Sequence, residues 1–126
     1  MMVEEVIPLA VQQFLLTRID SIAQLEALLL LYSDPSQGWD CAEISRRLYI
    51  DETICTEILK GLTRQRLLVK ADARYRFHCD PPELEGTVRL VREHYTKHLI
   101  PVTNLIHNKP NRIQEFANAF KIAKEK

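Results

Sequence analysis

Between residues 46 and 76, eight side chains expected to face outward are candidates for holding a polyanion: Arg46, Arg47, Thr53, Thr56, Lys60, Arg64, Arg74 and Arg76. Cations pair with phosphates, and hydroxyls can reach phosphates or base edges. Three acids, Asp51, Glu52 and Glu57, stand among them. Glu57 could accept from a cytosine amino group, although a carboxylate beside phosphates is repulsive. Asp51 and Glu52 have a simpler explanation, because acids at the start of a helix satisfy its free amides and its dipole. The alternative reading of the arginines is a solvated surface that keeps the chain soluble.

Other chemistry is thinly represented. His94 and His98 have the i, i+4 spacing that can hold a metal on one helix face, with His78, Cys79 and His107 as possible further donors. No metal motif accompanies them. Cys41, Cys55 and Cys79 are spaced by 14 and 24 residues with no C-x-x-C pair, which points to reduced thiols rather than a disulfide framework. Cys41 and Cys55 adjoin apolar helix positions and read as packing. There is no G-x-S-x-G and no phosphate-binding glycine loop, and the chain has only 3 glycines. The sequence therefore predicts no enzyme, no bound metal and no cofactor.

The chain has 126 residues, 46% of them hydrophobic, which suits one domain with an appended helix. Lys+Arg and Asp+Glu are both 17, so the whole chain lacks the basic excess usual in proteins that live on phosphate contacts. The charge is uneven: residues 1–39 carry −4, and residues 40–78 and 79–126 carry +2 each. The longest apolar run, "ALLLLY", is far short of the ~18 residues that span a bilayer. "MMVEEV" has no leader pattern, and a soluble, cytoplasmic chain is expected.

The elements that must position these residues follow from periodicity and caps. Pro8 opens a short helix with Leu9, Val11, Phe14, Leu15 and Ile19. "SIAQ" (21–24) is a capping box that starts a helix apolar nearly all round, predicted to be the most buried. "DCAE" (40–43) is a second capping box, before a short helix with Ile44 and Leu48 inward. After the turn "YID", Asp51 caps a further helix with Ile54, Ile58 and Leu62 inward, leaving Glu52, Thr53, Thr56, Glu57, Lys60 and Arg64 outward. "LLVKADARYRFH" (67–78) reads as a hairpin turning at 71–73, with Tyr75 and Phe77 on one face and Arg74 and Arg76 on the other. A helix capped at Asp80 follows. Leu84, Val88, Val91, Tyr95, His98, Val102 and Leu105 form a heptad seam along it, broken near Lys97 by Pro101. A final amphipathic helix places Ile113, Phe116, Ala117 and Phe120 on one face.

This order resembles winged helix-turn-helix transcription regulators over about residues 21–80. The resemblance rests on "SIAQLEALLLLY", "GWDCAEISRRLYIDETICTEILKGLTRQRLLV" and "RYRF". It implies a mainly α fold with a small β-hairpin: a winged domain over 1–80, including the N-terminal helix, and a C-terminal helical region over 81–126 for dimerisation. It also implies that a short strand at Trp39 pairs with the wing. Two departures stand out. The family's second helix follows A-x-x-[LI]-x-x-x-L, whereas here Ala42 lies two residues before Ile44. The family's glycine before the wing is replaced by Arg66, which, if left-handed, costs on the order of 1 kcal/mol relative to glycine.

By this resemblance the chain is expected to bind double-stranded DNA as a homodimer. The helix from Asp51 would enter the major groove, Arg46, Arg47, Arg74 and Arg76 would flank it, and Leu84, Val88, Val91, Tyr95, Val102 and Leu105 would join two chains. The alternative is a winged-helix adaptor that binds a protein partner through its acidic helix or through the tail bearing Phe116 and Phe120, without DNA. A metal or redox sensor on His94 and His98 is the third reading.

Overall fold

The computed structural model describes residues 7–109, and the tail with Phe116 and Phe120 lies outside them. In chain order the elements are α1 (Leu9–Arg18), α2 (Ile22–Tyr32), α3 (Cys41–Leu48), α4 (Glu52–Arg64), β1 (Leu68–Ala71), β2 (Arg74–Phe77), α5 (Leu84–Lys97) and α6 (Leu99–His107). Together α2, α3, α4 and the β1–β2 hairpin form a winged helix-turn-helix.

Local chemistry sets the helix starts. Ser21 Oγ accepts from the Gln24 amide, although the Gln24 side chain reaches back to the Asp20 amide rather than to that of Ser21. At α3 the capping box is complete: Asp40 accepts from the Glu43 amide at 2.8 Å, and Glu43 accepts from the Asp40 amide at 2.9 Å. Asp51 accepts from the Thr53 amide at 2.7 Å, so this acid does cap α4.

α2 is the central helix. Leu25, Ala27, Leu28 and Leu31 are buried, and none of its residues is exposed. α4 and α3 pack against it on one side, and α6 and the hairpin also touch it. α1 buries Val11, Phe14 and Leu15 and packs on α5 and α6. One cluster of buried side chains runs from Ile7 to Ile106, joining both ends of the described chain in a single core.

The wing is antiparallel, with Leu68 opposite Phe77 and Ala71 opposite Arg74. Asp72 turns it with φ 57, a conformation that two-residue hairpin loops require and that Asp tolerates. Trp39 exchanges both backbone hydrogen bonds with Tyr75 at 2.8 Å, forming the expected short third strand. Arg66 has φ 61, so the strained arginine anticipated before the wing is present.

Three expectations are corrected by packing. In α4 the inward residues are Cys55, Leu59 and Leu62, while Ile54 is 54% exposed. α5 starts at Leu84 rather than at Asp80, because Asp80 faces Arg66 at 3.8 Å and the prolines lie in the turn before the helix. The seam expected to join two chains lies instead within one: Val88, Val91, Val102 and Leu105 are fully buried, and Leu84 and Tyr95 pack against the same core. Tyr95 Oη donates to Glu26 on α2 at 2.5 Å, which ties that end of the seam down. The helix breaks at His98 (φ −131, ψ 57), and Pro101 sits in the first turn of α6, where its missing N–H is harmless.

Candidate nucleic-acid interface

The exposed ridge of α4 is formed by Thr53, Glu57, Lys60 and Arg64, opposite the buried line of Cys55, Leu59 and Leu62. Lys60 lies 4.0 Å from Glu57. Both are exposed, so this i, i+3 pair contributes little and leaves Lys60 able to meet another anion. Thr56 departs from expectation. It is half-buried against α3, its hydroxyl donates to Glu52 O at 2.9 Å, and it lies 3.3 Å from Cys41 Sγ.

Between α4 and the hairpin, Lys60, Arg64 and Lys70 surround Tyr75 and Thr63 in a shallow cavity of about 200 Å³. Lys70 Nζ stands 5.5 Å from the Tyr75 ring centroid, within cation–π reach. Sequence reasoning left Lys70 out. The alternation of the strand was the available signal, because Lys70 pairs with Tyr75 across the hairpin and so falls beside α4.

The four arginines divide into two kinds. All four are exposed, and Arg47 lies over the Trp39 ring with its guanidinium carbon 5.4 Å from the centroid. Arg46 and Arg47 border a shallow groove of about 320 Å³ with Trp39 and Glu43. Arg74 is engaged within the protein: its Nη1 donates to Gly38 O at 3.0 Å and to Glu43 Oε1 at 3.1 Å. It braces the wing against the cap of α3. Gly38 permits this contact, since a Cβ there would stand 3.3 Å from Arg74 Cβ.

Tyr49 is an exposed aromatic at the end of α3. It ends α3 in the left-handed region (φ 57, ψ 45), and its side chain is 94% exposed. Holding a bulky residue there costs on the order of 1 kcal/mol, while its backbone N–H caps α3 by donating to Ser45 O.

The histidines and cysteines are arranged differently. The His94 and His98 rings are 5.8 Å apart, and His94 Nδ1 lies 2.9 Å from Leu90 O. Among the described residues no group of three or more His, Cys, Asp or Glu is placed to hold a metal. Burial pushes the Cys55 thiol up to about 11, and burial followed by the nearby Glu85 carboxylate does the same for Cys79. Tyr95 rises to about 12 through burial and its hydrogen bond to Glu26. Among the described residues no helix is long and apolar enough to cross a membrane.

No protein-family model matches the sequence. No curated protein matches it either. Among solved structures the chain is similar to the multiple antibiotic-resistance repressor (MarR) from Listeria monocytogenes. The two share 21% identity with a TM-score of 0.47, and the match covers 83% of this chain and 74% of that one.

Proposed function

We infer that this chain is a DNA-binding winged helix regulator, with α4 as the helix that enters the major groove. The observation that carries this reading is the convergence of Lys60, Arg64 and Lys70 between α4 and the wing. Three cations from two elements meet beside the helix whose position favours the major groove. Arg46 and Arg47 on α3 and Arg76 on the wing are further exposed cations, and Thr53 supplies a hydroxyl near the start of α4. Arg74 acts as a brace, and Thr56 takes no part in base contact. The proposed homodimer draws on exposed Leu99 (52%) and Ile100 (68%) at the start of α6, since the heptad seam is already covered. An adaptor role is the second reading, favoured by the exposure of Ile54 among the acids of α4.

The test is a binding titration on a pool of genomic duplex fragments, followed by fluorescence anisotropy at ~50 and ~200 mM salt. The affinity is expected to fall steeply with salt. Replacing Lys60, Arg64 and Lys70 together by alanine is expected to reduce the log–log slope by about 2–3. An absence of binding at low salt, or binding indifferent to salt, overturns the reading.

A further inference from the structure

Trp39 is only 6% exposed, and its buried indole Nε1–H meets no acceptor among the described residues. A buried donor in that state is costly, and an acceptor supplied from outside the fold removes the cost. The residue stands at a junction. Its backbone exchanges both hydrogen bonds with Tyr75 of the wing, and its side chain lines the shallow groove of about 320 Å³ with Gln37, Glu43, Arg46 and Arg47.

The polar groups of that groove are mostly donors in search of an acceptor. Arg46 and Arg47 are exposed, and among the described residues neither is in an ion pair. Arg47 is held by the face of the Trp39 ring, a contact that leaves its N–H groups free to donate. Gln37 adds an exposed carboxamide. Glu43 is the carboxylate of the groove, and it is already engaged. Its Oε1 accepts from the Asp40 amide at 2.9 Å and from Arg74 Nη1 at 3.1 Å. Arg74 thereby balances its charge, and the charges of Arg46 and Arg47 are left uncompensated.

We propose that this groove is a binding site for a phosphate group, held by Arg46 and Arg47 with the Trp39 indole N–H as a third donor. The donor set selects the ligand class. Guanidinium forks match phosphate oxygens in pairs, and hydrogen bonds to a charged acceptor are the strong ones. Successive residues on a helix project about 100° apart, so the two arginines approach from different directions. A tetrahedral phosphate presents oxygens to both, whereas a flat carboxylate faces them with one edge. The indole N–H lies beneath the surface, and Arg47 is the exposed side chain over the ring. Drawing its guanidinium onto an anion opens the ring beneath it. Because Trp39 is bonded to Tyr75, an anion held here also ties α3 to the wing. Two sources offer this chemistry: the phosphodiester backbone of a DNA duplex, and a free phosphate or phosphomonoester. The site itself does not depend on the DNA-binding reading; only a duplex as the source rests on it.

Trp39 is the single tryptophan of the chain, so the isotope-labelled full chain gives one indole N–H signal. Titration with sodium phosphate near neutral pH is expected to move that signal downfield and to saturate, with the Arg46 and Arg47 amides moving in parallel. Sodium chloride at matched ionic strength is expected to leave it in place. An equal response to chloride, a shift that does not saturate, or an indole signal that stays still overturns the proposal. Replacing both exposed arginines, Arg46→Gln with Arg47→Gln, is expected to keep the folded spectrum and to weaken phosphate binding about tenfold or more. Unchanged affinity in that variant overturns the site. Duplex DNA added to the parent chain then separates the sources. An indole shift like that caused by phosphate supports the site and makes the DNA backbone its ligand. A duplex that binds and leaves the indole still overturns the backbone as source, and the phosphate response then assigns the site to a small phosphate. A chain that takes phosphate here and binds no duplex supports the site and overturns the DNA reading alone.

Discussion

Helices α4 and α5 carry similar apolar periodicity and put it to opposite uses. α5 buries Val88 and Val91 completely against its own chain and keeps Arg89, Arg92 and Lys97 on the outside. α4 buries Cys55, Leu59 and Leu62 but leaves Ile54 in the open. The difference shows that a heptad seam states how much apolar surface a helix must cover, not which chain covers it. For α5 the cover is α1 together with α6, while the flank of α4 that carries Ile54 stays open.

The sharpest way to break this comparison is to put a carboxylate on each helix. Val91→Asp buries an unpaired charge and is expected to cost about 4 kcal/mol or more, enough to abolish cooperative urea unfolding near neutral pH. Ile54→Asp is expected to stay within about 0.5 kcal/mol of the parent chain. Comparable losses from both would show that the flank of α4 belongs to the core as fully as the buried face of α5.

Alkaline titration probes the buried sides of the same helices. Cys55 and Cys79 are held near 11 against an ordinary 9.0, and Tyr95 near 12 against 10.0. The raised values mean that folding favours the protonated forms. Their stabilisation is complete below pH 9 for the thiols and is lost as pH rises toward 11. The Tyr95 contribution fades between pH 10 and 12. Each thiol accounts for about 2–3 kcal/mol by this linkage. Denaturant midpoints measured from pH 8 to 11 are expected to fall through that window, and a flat profile would contradict the burial described for Cys55.

Smaller effects refine the comparison. Tyr95→Phe removes the α5 hydroxyl that meets Glu26 and is expected to cost about 1–2 kcal/mol of unfolding free energy. Arg66→Gly, just past α4, relieves a left-handed arginine at some cost in chain entropy. A gain of up to about 1 kcal/mol, seen as a raised Tm, is expected.

The frame of the molecule was legible in the sequence because it is written in local chemistry. The Asp40–Glu43 box, the Asp51 cap, the alternation of Tyr75 and Phe77, and the break before Pro101 each depend on a few adjacent residues. The choice between Ile54 and Cys55 was not legible. Apolar residues at 54, 55, 58, 59 and 62 permit two seams, and only the position of α3, where Cys55 Sγ approaches Cys41 O at 3.7 Å, selects one. The same tertiary placement turned Thr56 toward Cys41, engaged Arg74 with Glu43 and brought Lys70 beside Lys60 and Arg64. The partner of the heptad seam was hidden for a related reason: a single sequence does not distinguish a face covered by its own chain from one covered by a second copy.

Two basic surfaces are candidates for the proposed DNA face: Lys60, Arg64 and Lys70 beside the wing, and Arg89, Arg92 and Lys97 on α5. Backbone amide shifts of the isotope-labelled chain, followed as duplex DNA is added at low salt, separate them directly. The account predicts the largest shifts at Tyr49, Thr53, Lys60, Arg64 and Lys70, with α5 silent. Shifts centred on Arg89, Arg92 and Lys97, or no shifts at all, would contradict it.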